Sequence, residues 1–335
     1  MKKYVNLFVF VFMIGACLSQ GRAQTKSAVS YKNPVVDIAM PDPTVIKAAD
    51  GYFYVYATES TRNVPIMKSK DLVEWTYCNT AFTNKTRPRF EPKAGIWAPD
   101  INYINGKYVL YYAMSVWGGE QTCGIGVATV NSPQGPFTDH GKMFRSNEIG
   151  VQNSIDPSLL QYEGRNYLVW GSFRGIYVIE LTTDGLSIMP GAKKKRIAGT
   201  AFEAVYIHKH DDYYYMFASI GSCCQGVKST YKVVVGRSKK VWGPYKDKTG
   251  KPMLKNGYSL VIGANDHFVG NGHGSQIIRD DAGQDWLLYH GFSRSTPENG
   301  RILLLDQIKW NQEGWPYVEG GSPSYETQKA PVFNN

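Results

Sequence analysis

Apolar and aromatic positions in this chain fall in short, paired runs. Five segments dense in aromatic and β-branched residues recur: "GYFYVYAT" from 51, "GKYVLYYAM" from 106, "RNYLVWGSF" from 165, "DYYYMFASI" from 212 and "DWLLYHGF" from 285. Most follow a Gly or Asp turn, as the second strand of a hairpin does. Before them lie the shorter runs "PTVIKA", "DINYI", "PSLLQY", "AVYIHK" and "SQIIRD". After each pair comes a third strand candidate and a turn rich in Gly, Pro and aromatics, for example "GIYVIELTTDGL" and "ILLLDQIKWNQEGWP". Helical periodicity is nearly absent. A repeat of about sixty residues built of strands predicts blades around an axis. Five repeats make the fold an all-β, five-bladed β-propeller. No linker divides residues 30–330, so one propeller domain is expected there.

In a propeller the innermost strand of each blade starts at one end of the central channel, so residues far apart in sequence meet there. Asp42 in "MPDPTVI" and Asp156 in "SIDPSLL" share a frame, each directly before the Pro that opens an inner strand. Trp97 in "WAPDI", Glu203 in "FEAVYI" and His273 in "GHGSQI" read as one residue earlier in that frame. Three carboxylates in one pocket cannot all ionise freely, because like charges and lost hydration raise at least one pKa. One acid then stays protonated while another remains a base, the pair that glycoside hydrolysis needs. An Asp-Pro pair alone is ordinary turn chemistry. Three acids in register across a repeat are not. Trp97 offers a flat face to a sugar ring or to core packing between blades. Phe173 and Asp100 are further candidate sugar contacts. His273 faces the channel and could support a cation held on the axis through water, calcium if the shell is oxygen-rich.

Other motifs carry less. "GNGHG" at 270–274 lacks the following helix that a phosphate loop needs. "HKHDD" at 208–212 has metal-like spacing but falls at the far end of its strand from Glu203, and reads as a solvated hairpin turn.

Composition narrows the picture. The chain of 335 residues has a net charge of +9, to which "KKKR" at 193–196 contributes. That run lacks the interleaved aromatics of a single-strand binder, so it reads as a solvated loop and no nucleic-acid partner is expected. The N-terminus has the form of an export signal: Lys2 and Lys3, then the apolar "LFVFVFMIGA" at 7–16, too short to span a bilayer. Cleavage is expected after residue 23, or after residue 16 with Cys17 carrying a lipid anchor. Either route places the mature chain in the periplasm or at the surface of a bacterium, with no membrane span and as a monomer. Cys78, Cys123, Cys223 and Cys224 admit three complete disulfide pairings. The vicinal pair reads as structural.

These residues resemble glycoside hydrolase family 43, and within it most closely the endo-α-1,5-L-arabinanases. "WAPD", "SIDPSLL", "VWGSFRGIYVIEL", "FEAVYI", "CCQGVKSTYKVVVGRSKKVWGPY" and "GNGHGSQI" fall in the family's order. The resemblance implies Asp42 as catalytic base, Asp156 as the carboxylate that orients the acid and tunes its pKa, and Glu203 as general acid, with inversion of configuration. It also implies calcium at the axis beside His273, and arabinan or another pectic polysaccharide as substrate. Val205 and Asn271 stand where the family often has Pro. Alternatives are an exo-acting α-L-arabinofuranosidase or β-xylosidase of the same family, or a non-catalytic glycan-binding propeller.

Overall fold

Every one of the five aromatic runs is the second strand of a four-stranded antiparallel unit, and the strands of each unit follow chain order. A computed structural model describes Met1 and residues 29–334. The export signal and Cys17 lie outside the described residues. Blade one comprises Thr44–Lys47, Phe53–Tyr56, Pro65–Ser69 and Thr76–Thr80. Blade two comprises Gly95–Ile104, Lys107–Ser115, Gly124–Val130 and Thr138–Arg145. Blade three runs from Ser158–Tyr162 through Arg165–Trp170 and Ile176–Glu180 to Lys195–Ala198. Blade four runs from Glu203–His210 through Tyr213–Ile220 and Lys232–Ser238 to Ser259–Ile262. In blade five the inner strand is broken into Phe268–Gly272 and Ile278–Arg279; Asp285–Ser293, Ile302–Trp310 and Pro316–Tyr317 follow.

The second strands read as unbroken apolar runs because both of their faces are buried. Successive side chains on a strand point to opposite faces, and here each face meets a different neighbouring blade. Tyr54 and Tyr56 pack with Leu110 and Tyr112 of blade two, whereas Phe53 and Val55 pack with Trp286 and Leu288 of blade five. Tyr111 and Val109 meet Leu168 and Trp170, Val169 meets Met216 and Ala218, and Tyr215 and Phe217 meet Leu287 and Tyr289. These five apolar seams close a ring, so no blade has to bury a face alone.

Closure is shared by both ends of the described chain. Leu303 exchanges backbone hydrogen bonds with Val36, and the Asn33 amide bonds both the N–H and the C=O of Leu305 as a strand backbone would. Ser30–Tyr31 pairs with Gln328–Lys329.

The basic run differs from its expected form. Only its first residues lie in a loop; Lys195 and Arg196 open the outermost strand of blade three, and both are exposed. An edge strand presents unpaired backbone groups, and positive side chains there oppose pairing with another chain. Cys223 and Cys224 are joined to each other, while Cys78 and Cys123 are free thiols. No described helix is long and apolar enough to cross a membrane.

Candidate functional site

At the channel mouth the backbone makes the same unusual turn once per blade. Asp42, Ala98, Asp156, Ala204 and His273 all have left-handed backbone, with φ of 53, 43, 56, 54 and 48°. Non-glycine residues adopt this region at a cost of about 1–3 kcal/mol and keep it where the surroundings impose it. The strand register shifts at the same place in blades two and four, between Trp97 and Asp100 and between Glu203 and Tyr206. The turn corrects the sequence frame at one position: His273 stands level with Asp42 and Asp156, and only Trp97 and Glu203 lie one residue earlier.

The three acids that sequence singled out are buried side chains of one charge cluster. Asp42 is the most heavily contacted. Arg301 Nη1 donates to its Oδ1 at 2.6 Å, and His273 Nδ1 lies 3.2 Å from the same oxygen. Thr58 Oγ1 donates to Oδ2 at 2.6 Å. The Thr58 hydroxyl has no choice of direction, because its oxygen already accepts the Ala98 N–H at 2.7 Å. The Asp42 N–H donates to His290 Nδ1 at 3.0 Å, which fixes the neutral tautomer of that ring with its proton on Nε2. His290 is fully buried, and burial holds it down to about 4.

Glu203 sits between two hydroxyls: Ser172 Oγ at 2.5 Å from Oε2 and Tyr231 Oη at 2.6 Å from Oε1. Asp156 accepts the Ala204 N–H at 3.1 Å, so the residue after Glu203 is tied to the neighbouring blade's carboxylate.

These surroundings drive the acids apart. Burial would raise Asp42, but the Arg301 and His273 charges and the hydrogen bond from His273 outweigh it and hold the carboxyl well below its usual range. Burial raises Glu203 against the hydrogen bonds of Ser172 and Tyr231. Burial also pushes Asp156 up to about 8, opposed by His273 and reinforced by the charges of Glu203 and Asp42. Two buried carboxyls that feel each other titrate as a pair. The pocket thus holds an ionised carboxylate facing a pair that retains a proton.

Trp97 is half-buried and packs on Ala113, Cys123 and Ile155, with Trp117 at 5.4 Å between ring centroids. Trp117 is 78% exposed. Phe173 is half-buried, directly follows Ser172, and has φ 50°. Asp100 corrects the sequence reading. It is 1% exposed, and its carboxylate accepts from Tyr206 Oη, Leu159 N and Asn102 Nδ2, each at 2.7 Å. Two residues past the turn the side chain points inward, so Asp100 ties blades one to four together and offers nothing to a sugar. Burial pushes it up to about 6.

His273 brings one ring nitrogen to Asp42, and the Thr44, Asp100 and Tyr206 oxygens are engaged with one another. Calcium takes six to eight oxygen ligands. A cation beside His273 would take most of its shell from water, and no step of the proposed reaction passes through an ion.

Sequence reasoning missed Arg301, Thr58, Ser172, Tyr231 and His290. Tyr231 lies inside the segment "CCQGVKSTY" already singled out, and a histidine inside the apolar run "DWLLYHGF" was a polar residue in a buried strand. Arg301, Thr58 and Ser172 carry no sequence pattern of their own.

Comparison with known proteins places this arrangement. The profile of "Glycosyl hydrolases family 43" matches residues 31–316. An extracellular endo-α-(1→5)-L-arabinanase of Bacillus subtilis is 37% identical over 290 residues, covering 82% of this chain and 86% of its own. An extracellular exo-α-(1→5)-L-arabinofuranosidase of Cellvibrio japonicus is 36% identical over 308 residues, covering 83% and 86%. The structure of a Cellvibrio cellulosa α-L-arabinanase complexed with arabinohexaose superposes with a TM-score of 0.77 at 33% identity, covering 86% of this chain and 98% of that one.

Proposed function

The chain belongs to glycosyl hydrolases family 43 and is a glycosidase, and from that premise we propose that it cleaves internal α-1,5-L-arabinofuranosidic bonds of arabinan with inversion. The observation that carries the assignment of roles is the opposite displacement of Asp42 and Glu203 within one buried cluster. Asp42, kept ionised by Arg301 and His273, takes a proton from the attacking water. Glu203, kept protonated by burial, gives its proton to the departing glycosidic oxygen. Asp156, which feels the charge of Glu203, shares the pair's proton with it and orients the strand bearing Glu203 through the Ala204 N–H. Trp97, Trp117 and Phe173 supply aromatic faces for furanose C–H surfaces beside the cluster. Both sequence relatives are named extracellular, which supports export of this chain.

The relatives support endo and exo attack almost equally, at 37% and 36% identity, so products decide. On linear arabinan the expected early pattern is a ladder of oligosaccharides. Release of only monosaccharide or of one short product from the first minutes would overturn internal cleavage.

The same roles set the pH profile. Asp42 is depressed, so the base stays ionised well into the acid range and is lost only as pH falls through its lowered pKa. The acid is raised, so activity is lost as pH rises through the raised pKa values of the Glu203–Asp156 pair. Asp156→Asn removes the second carboxyl of that pair and should move that limb to lower pH in kcat/KM. A limb unchanged in this variant would remove Asp156 from the assignment.

A further inference from the structure

Only Asp211 and Asp212 of the "HKHDD" stretch form the exposed hairpin turn that its sequence suggested. His208 and His210 belong to the inner strand Glu203–His210, two residues apart and therefore on the same face. That face meets blade five. The His210 ring lies flat against Trp310, with centroids 3.6 Å apart and planes within 6°. His210 Nδ1 is 3.7 Å from Oδ2 of Asp285, a carboxylate whose side chain is 1% exposed. His208 lies behind them, and its Nε2 is a buried atom with no hydrogen-bond partner.

One ligand atom from each of His208, His210 and Asp285 lies within 4.8 Å of the others, and among the described residues no other group of His, Cys, Asp and Glu meets this spacing. We infer that this seam between blades four and five binds one divalent transition-metal ion of the zinc class, with His208, His210 and Asp285 as its protein ligands. Two imidazoles and one carboxylate are a donor set for such ions rather than for calcium or magnesium. With bonds of 2.0–2.2 Å, two ligands of a tetrahedral ion stand about 3.4 Å apart. The separation of His210 from Asp285 is already close to that. His208 needs only a small rotation to spend its unpartnered nitrogen.

Arg279 and Trp310 donate hydrogen bonds to the Asp285 carboxylate and leave the His208 Nε2 position unshared. An open cleft of about 420 Å³ lined by His210, Arg279, Asp285 and Trp310 gives access from solvent and room for water as the fourth ligand. The strand from Glu203 to His210 spans roughly 20 Å, so this site lies at the far end of blade four from the catalytic carboxylates.

One group competes for the position. Arg279 donates to both Asp285 oxygens, at 2.8 and 3.0 Å, and its Nη2 is 3.5 Å from His210 Nδ1. Its side chain is 56% exposed and can swing away when a cation arrives. The guanidinium and the ion would exclude each other by charge, which makes the site testable in both directions.

The test titrates chelator-treated full chain with zinc chloride by calorimetry, with metal content measured after gel filtration. One ion per chain is expected. His210→Gln and His208→Gln should each weaken binding at least tenfold, whereas Arg279→Ala should tighten it. A gain of affinity in Arg279→Ala cannot come from misfolding, and circular dichroism checks the histidine variants. No zinc uptake, or uptake indifferent to all three substitutions, overturns the site.

Discussion

Glu203→Gln is expected to lower kcat on linear arabinan by about 10²- to 10⁴-fold, the range of a lost general acid, while leaving arabinan binding nearly intact. The amide keeps the shape of the side chain and its contacts to Ser172 and Tyr231, but it has no proton to give. A sugar alkoxide is a poor leaving group and needs that proton; a dinitrophenolate does not. The variant should therefore retain a much larger share of its activity on a dinitrophenyl α-L-arabinofuranoside than on arabinan. Equal losses on the two substrates, measured as kcat/KM, would remove Glu203 from the acid role.

Asp42→Asn should behave differently, and the contrast separates the two carboxyls. Activating water is needed whatever the leaving group, so activity should fall by a similar factor, about 10²- to 10⁴-fold, on arabinan and on the activated furanoside. A second effect follows from the surroundings. Asp42 neutralises Arg301 and His273 in a pocket where its own side chain is only 11% exposed. Removing one partner of a buried charge pair costs about 3–5 kcal/mol, and the amide recovers part of this by still accepting a hydrogen bond. Urea unfolding should show a clear loss of stability in Asp42→Asn and little in Glu203→Gln. Full activity on the activated substrate in Asp42→Asn would defeat its assignment as base.

The two substitutions differ because the pocket treats its carboxyls differently. Arg301 reaches Asp42 from 259 residues away in the chain, and no comparable cation touches Glu203, whose partners are hydroxyls. The single arginine contact thus separates base from acid. His273 strengthens the difference from the level of Asp42: burial would lower it, but the Asp42 carboxylate outweighs that and raises it.

The repeat, the strand positions and the convergence of Asp42, Asp156 and Glu203 were legible in the sequence. They follow from local rules: a strand alternates its faces at every second residue, and a strand buried on both faces is apolar, as "FYVY" and "VLYYAM" are. Repeating that unit five times implies a ring, and a ring brings the starts of its inner strands together. The family resemblance rests on the same local stretches.

Only the tertiary structure decided which acid is charged, where Asp100 points and what surrounds His208 and His210. A pKa depends on charges and burial near in space, and Arg301 and Ser172 approach Asp42 and Glu203 from other blades. Asp100 was a candidate sugar contact three residues after Trp97, but the left-handed turn at Ala98 lies between them and the Asp100 side chain is buried. His208 and His210 looked solvated because a hairpin turn follows them; the next blade covers one face of that hairpin, and the sequence of blade four alone holds no information about its neighbour.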